Sequence, residues 1–111
     1  MAYDEELAQR VRELLAAEAG VSEKAMFGGL AFLVHGNMAV TASSRGGLMV
    51  RVGAKGADGA LARPHTKQIE MRGRPMTGWI HVAPAGVRTA RELRVWVRRG
   101  AQFTRTLPPK R

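Results

Sequence analysis

Leu7, Val11, Leu14 and Leu15 recur at i, i+4, i+7 and i+8, which sets four apolar side chains on one stripe of a helix. The spacing predicts a helix from Asp4 to Ala19. Asp4 is its N-cap, Glu5 and Glu6 suit the positive end of the helix dipole, and Gly20 supplies the stop. From Lys24 the pattern changes to short β-rich runs divided by Gly and Asn. AMFGGLAFLV, NMAVTAS and GLMVRVG read as three strands, with turns at His35-Gly36-Asn37 and Ser44-Arg45-Gly46. Connections this short join antiparallel neighbours. In the third run Leu48, Val50 and Val52 alternate with Met49, Arg51 and Gly53, so the first set is expected to face the core and Arg51 to face away.

Ala54 to Arg63 has Ala57, Ala60 and Leu61 near helical spacing, but Gly56 and Gly59 each weaken a helix by about 1 kcal/mol relative to Ala. A short or imperfect helix is predicted there. KQIEMRG and GWIHVAP read as a second hairpin, joined through Arg74-Pro75-Met76-Thr77, where Pro75 stops the ladder on its own residue. Thr89 and Glu92 stand in capping-box spacing before a last helix that sets Leu93, Trp96, Val97 and Phe103 on one face, with a mild interruption at Gly100. Pro108 and Pro109 end it, leaving 108–111 as a loose tail. The order α-β-β-β-α-β-β-α predicts an α+β fold of two layers, an antiparallel sheet of about five strands with helices on one face. At 111 residues the chain reads as one domain over 1–111.

An apolar share of 45% and a charged share of 24% argue against disorder. No apolar run reaches the roughly 18 residues a membrane span needs, and the acidic start is unlike a signal peptide, so no membrane partner and a cytoplasmic location are expected. The absence of cysteine excludes disulfides, cysteine nucleophiles and thiolate metal sites. Charge is unevenly spread: residues 1–23 carry six acids and two bases, whereas 24–111 carry sixteen bases and three acids. Such an excess favours nucleic acid or an acidic protein surface, although fourteen of the eighteen bases are Arg in a chain rich in Ala, Gly and Val, a bias that base composition of the coding DNA can produce.

The residues that carry chemistry are sparse. Ser22, Ser43 and Ser44 lack a nucleophile elbow, and Asp4 and Asp58 are the only aspartates, so no oriented triad is expected. Paired carboxylates are equally hard to place, because six of the nine acids lie within the first 23 residues. His35, His65 and His81 fall in a turn, a loop and a strand without metal-ligand spacing. Met26, Met38, Met49, Met71 and Met76 lie in or beside strands and are expected to fill the core rather than bind a soft metal. Gly28-Gly29 lacks the further glycines or the Lys of a phosphate loop and reads as a bulge, bend or close backbone approach. No catalytic residue, cofactor or metal is expected.

The last helix carries the strongest candidate surface. Arg91, Arg94, Arg98 and Arg105 fall within one helical face, with Arg99 at its edge. The stripe could contact phosphates, but a solvated face opposite Leu93, Trp96 and Val97 is what the domain requires in any case. No aromatic residue interleaves the arginines to stack bases, and no helix-turn-helix is evident.

Five blocks resemble the successive motifs of the TfoX (Sxy) N-terminal domain family. They are MAYDEELAQRVRELL; Lys24-Ala25-Met26-Phe27-Gly28-Gly29-Leu30-Ala31-Phe32; Gly36-Asn37-Met38-Ala39; Gly47 to Val52, with Arg51 in it; and Gly73-Arg74-Pro75-Met76-Thr77-Gly78-Trp79. The resemblance runs from about residue 3 to residue 109. It implies a fold similar to type III secretion chaperones and a bacterial regulatory, non-catalytic role. Full-length members act as positive regulators of competence genes alongside the cyclic-AMP receptor protein, so another protein is the expected partner and nucleic acid the alternative. Those proteins usually carry a second helical domain, and the sequence ends where that would begin, so a stand-alone version is expected. Either a monomer or a homodimer paired through sheet edges is compatible with it. The motif residues are expected to be structural, with Gly28 and Gly29 bending the first strand or admitting a helix, and Pro75 and Gly78 delivering Trp79 to the core.

Overall fold

The computed structural model describes residues 3–110. Helix α1 (Glu5–Leu15) starts where Asp4 accepts a hydrogen bond from the Leu7 N–H, and it buries Leu7, Ala8, Val11 and Leu15. It ends four residues before Ala19, in turns that lead to Gly20. Helix α3 (Ala90–Arg105) opens with both halves of the Thr89/Glu92 capping box and buries Leu93, Trp96, Val97, Gly100, Ala101 and Thr104. No interruption occurs at Gly100. A Cβ there would lie 2.7 Å from Val40 and 2.8 Å from the Ala39 carbonyl, so the glycine lets α3 come down onto the sheet. Between them, α2 (Ala54–Leu61) is short as expected, with Ala60 its one fully buried side chain.

The fold is α+β, and its antiparallel sheet has six strands: β1 (Val21–Met26), β2 (Gly29–Val34), β3 (Asn37–Ala42), β4 (Leu48–Arg51), β5 (Thr66–Met71) and β6 (Arg74–Val82). Their spatial order is β1-β2-β3-β4-β6-β5. The additional strand arises because AMFGGLAFLV is two strands, not one. Phe27 (φ 53°) and Gly28 (φ 77°) form a two-residue turn between the paired Met26 and Gly29. His35-Gly36 and Arg72-Gly73 do the same between Val34 and Asn37 and between Met71 and Arg74, all with positive φ. Such turns match the right-handed twist of a hairpin. The second hairpin therefore turns at Arg72-Gly73, and Arg74-Pro75-Met76-Thr77 belongs to β6. Pro75 is tolerated because β4 pairs only with residues 79–82 of β6, leaving the missing N–H outside that ladder.

Leu48 and Val50 are fully buried beside half-buried Met49 and Arg51, as their alternation indicates. Val40, Ala42, Leu48, Val50, Ile80 and Val82 share the inner face and join Leu7, Val11, Leu93, Trp96 and Val97 in one apolar cluster. Among the described residues no methionine is counted with the buried hydrophobic ones, contrary to the core role expected of Met26, Met38, Met49, Met71 and Met76. Residues 108–110, expected to be loose, lie against the β2–β3 turn. The Lys110 N–H donates to the His35 carbonyl at 2.7 Å, and Asn37 Nδ2 donates to the Pro108 carbonyl at 2.9 Å. Arg111 lies outside the described residues.

Two predictions follow from this packing. A Cβ on Gly29 would meet the Ala42 carbonyl at 2.5 Å, so Gly29→Val is expected to lower unfolding free energy by about 2–3 kcal/mol in urea titrations. Arg12 donates to Glu23 through Nε at 2.5 Å and Nη2 at 2.8 Å, clipping α1 to β1, and these hydrogen bonds hold the Glu23 carboxyl below its ordinary range. With the folded-state value the lower one, the contribution is present above the unfolded carboxyl's pKa and lost as pH falls through the folded one. Glu23→Gln should therefore melt below wild type at neutral pH, and the two melting curves should converge on acidification.

Candidate interaction surface

The arginine stripe of α3 does not remain one surface. Arg99 stacks over Trp96 at 5.2 Å and reaches the Gly56 carbonyl at 3.4 Å, while Arg63 lies over the same indole at 5.3 Å. Arg105 pairs with Glu18 at 3.0 Å and also donates to the Ala19 carbonyl. Arg91, Arg94 and Arg98 stay exposed, and among the described residues their side chains make no hydrogen bond or ion pair. Arg94, Arg98 and Arg105 border a shallow cleft of about 370 Å³ between α1 and α3, floored by Leu14, Leu15, Val97 and Ala101.

Most family-motif residues shape the backbone. Met26, Phe27, Gly28 and Gly29 build the β1–β2 turn, and the close neighbour that Gly29 admits is β3 rather than a helix. Gly36 leaves room for the Lys110 carbonyl, and Asn37 holds Pro108. Arg74 and Pro75 pair with Met71 and Glu70, and Met76 to Trp79, with Gly78 among them, form a wide bulge in β6, because Gln68 pairs with Ile80 while Glu70 pairs with Pro75. Gln68, which no sequence pattern singles out, fastens this bulge. Its Nε2 donates to the carbonyls of Ile69, Met76 and Trp79 at 3.0–3.3 Å. The Gly78 carbonyl in turn accepts from the Val52 and Gly53 N–H groups at 2.8 and 3.1 Å, tying the bulge to the start of α2. Trp79 is half-buried rather than a core residue. The Arg51 guanidinium lies 5.6 Å from its ring and 5.9 Å from the Phe103 ring, a cation–π bridge between β6 and α3.

The face of the sheet turned away from the apolar cluster carries the larger depression, a groove of about 660 Å³. Cross-strand pairing sets Lys24, Ala31, Thr41, Met49, His81 and Lys67 in one row across it. Met26, Met38, Met49 and Met71 line the groove, with Phe27, Ile69, Arg45 and Glu70 at its margins. The methionines thus occupy the alternate positions of strands whose other side is the core. His81 Nε2 is 2.8 Å from the Gly46 carbonyl, which fixes the ring at one end. Thr41 is only 4% exposed, and its Oγ1 has no hydrogen-bond partner. Among the described residues, no group of three or more His, Asp or Glu side chains could hold a metal, and no helix is long and apolar enough to cross a membrane.

An antiparallel sheet with helices over one face and a methionine-lined groove on the other defines a small two-layer α+β module. The chain belongs to the TfoX N-terminal domain family, whose model matches residues 13–104. Comparison with curated proteins and with solved structures gives no match.

A buried hydroxyl without a partner costs roughly 1–3 kcal/mol, whereas an isosteric apolar side chain at the same place does not. Thr41→Val should therefore raise unfolding free energy by about 1 kcal/mol in urea titrations.

Proposed function

We propose that the chain is a regulatory domain that works by binding another protein in the cytoplasm, in the setting of competence-gene control that its family suggests, rather than by catalysis. The observation that carries this reading is the uncovered sheet face, where Phe27 is 80% and Met71 45% exposed beside three further methionines. Large apolar side chains grouped on an open face favour a protein partner. Family membership supports a regulatory role, and of the motif residues most shape the backbone while Met26 and Phe27 also line the groove.

Direct nucleic-acid binding is the second reading, favoured by Arg91, Arg94 and Arg98, which have no side-chain partner among the described residues. Three arginines without stacking aromatics form a small footprint, and the two others of the stripe are already engaged. Gel-shift titrations with duplex DNA and single-stranded RNA across a salt series separate the two. The expected outcome is weak, sequence-independent binding that vanishes near physiological salt and is unchanged in shape between oligonucleotides. A tight complex with a steep salt slope, lost in the Arg94→Glu, Arg98→Glu double variant, would replace the protein-binding reading with the nucleic-acid one.

A further inference from the structure

Three features of the free fold are unfavourable where they stand, and all three line the groove on the open sheet face. Phe27 holds a positive φ of 53°, as His35 and Arg72 do in the two matching turns, but of the three it alone is a large apolar residue, held with its ring in water. Thr41 buries an unpaired hydroxyl. Met71 exposes an apolar side chain at the tip of the β5–β6 hairpin. Strain and unpaired polar groups that persist in one place are a motive for assigning function there.

Topology explains why the tips act together. The β1–β2 and β5–β6 turns stand at opposite ends of the strands and on opposite sides of the sheet, so Phe27 and Met71 occupy diagonal corners. Twist lifts one diagonal pair of corners toward each face, and both residues border the same groove. The occupant lies on the face of the sheet, where strand backbones are already paired with one another. It must therefore satisfy its own backbone, which a helix does and an extended peptide does not. Strand addition at the edges is opposed by charge: β1 exposes Ser22, Glu23 and Lys24, and β5 exposes Lys67 and Glu70.

Charge sets the sign of the partner. Lys24, Arg45 and Lys67 stand on or beside this face against the single carboxylate of Glu70, and among the described residues none of the four side chains is hydrogen-bonded or ion-paired. Unbranched methionines adapt to a range of apolar surfaces, and Met49 is the cross-strand neighbour of Thr41. We propose that the groove receives an acidic amphipathic α-helix of a partner protein. Its apolar stripe lies between Phe27 and Met71, one polar side chain meets Thr41 Oγ1, and its carboxylates face Lys24, Arg45 and Lys67. This rests on the protein-binding reading above.

The probe is a fluorescein-labelled helical peptide of about 18 residues, roughly the length of five turns, with leucine on one face and glutamate on the other. Its controls are the same peptide with lysine for glutamate and one interrupted by a central proline. Binding is read by fluorescence anisotropy, and its location by amide chemical shifts. The glutamate peptide is expected to bind best and to shift Met38, Thr41, Met49 and His81. Phe27→Gly and Thr41→Val should each weaken binding by about tenfold, the scale of a central contact, while melting no lower than wild type. Loss of binding alongside equal or greater stability is the result a merely structural role would not produce. Preference for the lysine or proline peptide in the groove overturns the acidic helix and leaves protein binding intact. If no peptide perturbs the open face while DNA binds across Arg94 and Arg98, both readings fall.

Discussion

The contact on which the structure depends is the close approach of α3 to β3 at Gly100. Any side chain there would strike the Ala39 carbonyl and Val40, so the glycine sets how deeply Leu93, Trp96 and Val97 reach into the inner face of the sheet. Once α3 is held there, α1 packs beside it and α2 packs against β6 and β5, so the apolar cluster forms on one side. The other face is left uncovered because every helix has been used. The open groove is thus a consequence of how the core is built.

The second constraint is the bulge in β6. Four residues, Met76 to Trp79, lie where β5 supplies only Ile69, and Gln68 with its three carbonyl partners makes that mismatch stable. Gly78 carries the bulge to the β4–α2 junction, and Trp79, through Arg51, carries it to Phe103 of α3. The G-R-P-M-T-G-W motif is accordingly a joint between the edge hairpin and the rest of the fold. Its residues serve the groove indirectly, by placing the β5–β6 tip and Met71.

Stability and the proposed binding pull in opposite directions on the open face. Replacing Phe27 by a turn residue or Thr41 by an isosteric apolar one would relieve the free protein, and both replacements would impoverish the groove. The inner face shows no such conflict, since its fully buried side chains are nearly all apolar and the one polar exception, Thr104, donates to the Gly100 carbonyl at 2.6 Å.

Much of this fold was legible in the chain: the helical stripes of α1 and α3, the Thr89/Glu92 cap, the alternation of Leu48 and Val50 and the short weak α2 depend on near neighbours, whose geometry is fixed by backbone period. The hairpin turns were harder, because Phe27 in a turn breaks the preference that normally marks one, and a continuous apolar run hides the break. Only the tertiary structure decided which strands lie side by side, that β5 stands outside β6, and hence that Lys24, Thr41, Met49, His81 and Lys67 share a row. It also divided the arginines of α3, engaging Arg99 at the Gly56 carbonyl and Arg105 at Glu18, both remote in sequence. A one-dimensional pattern reports which face of an element is apolar. It does not report what stands opposite that face, and both the groove and the fate of the arginines are set by what stands opposite.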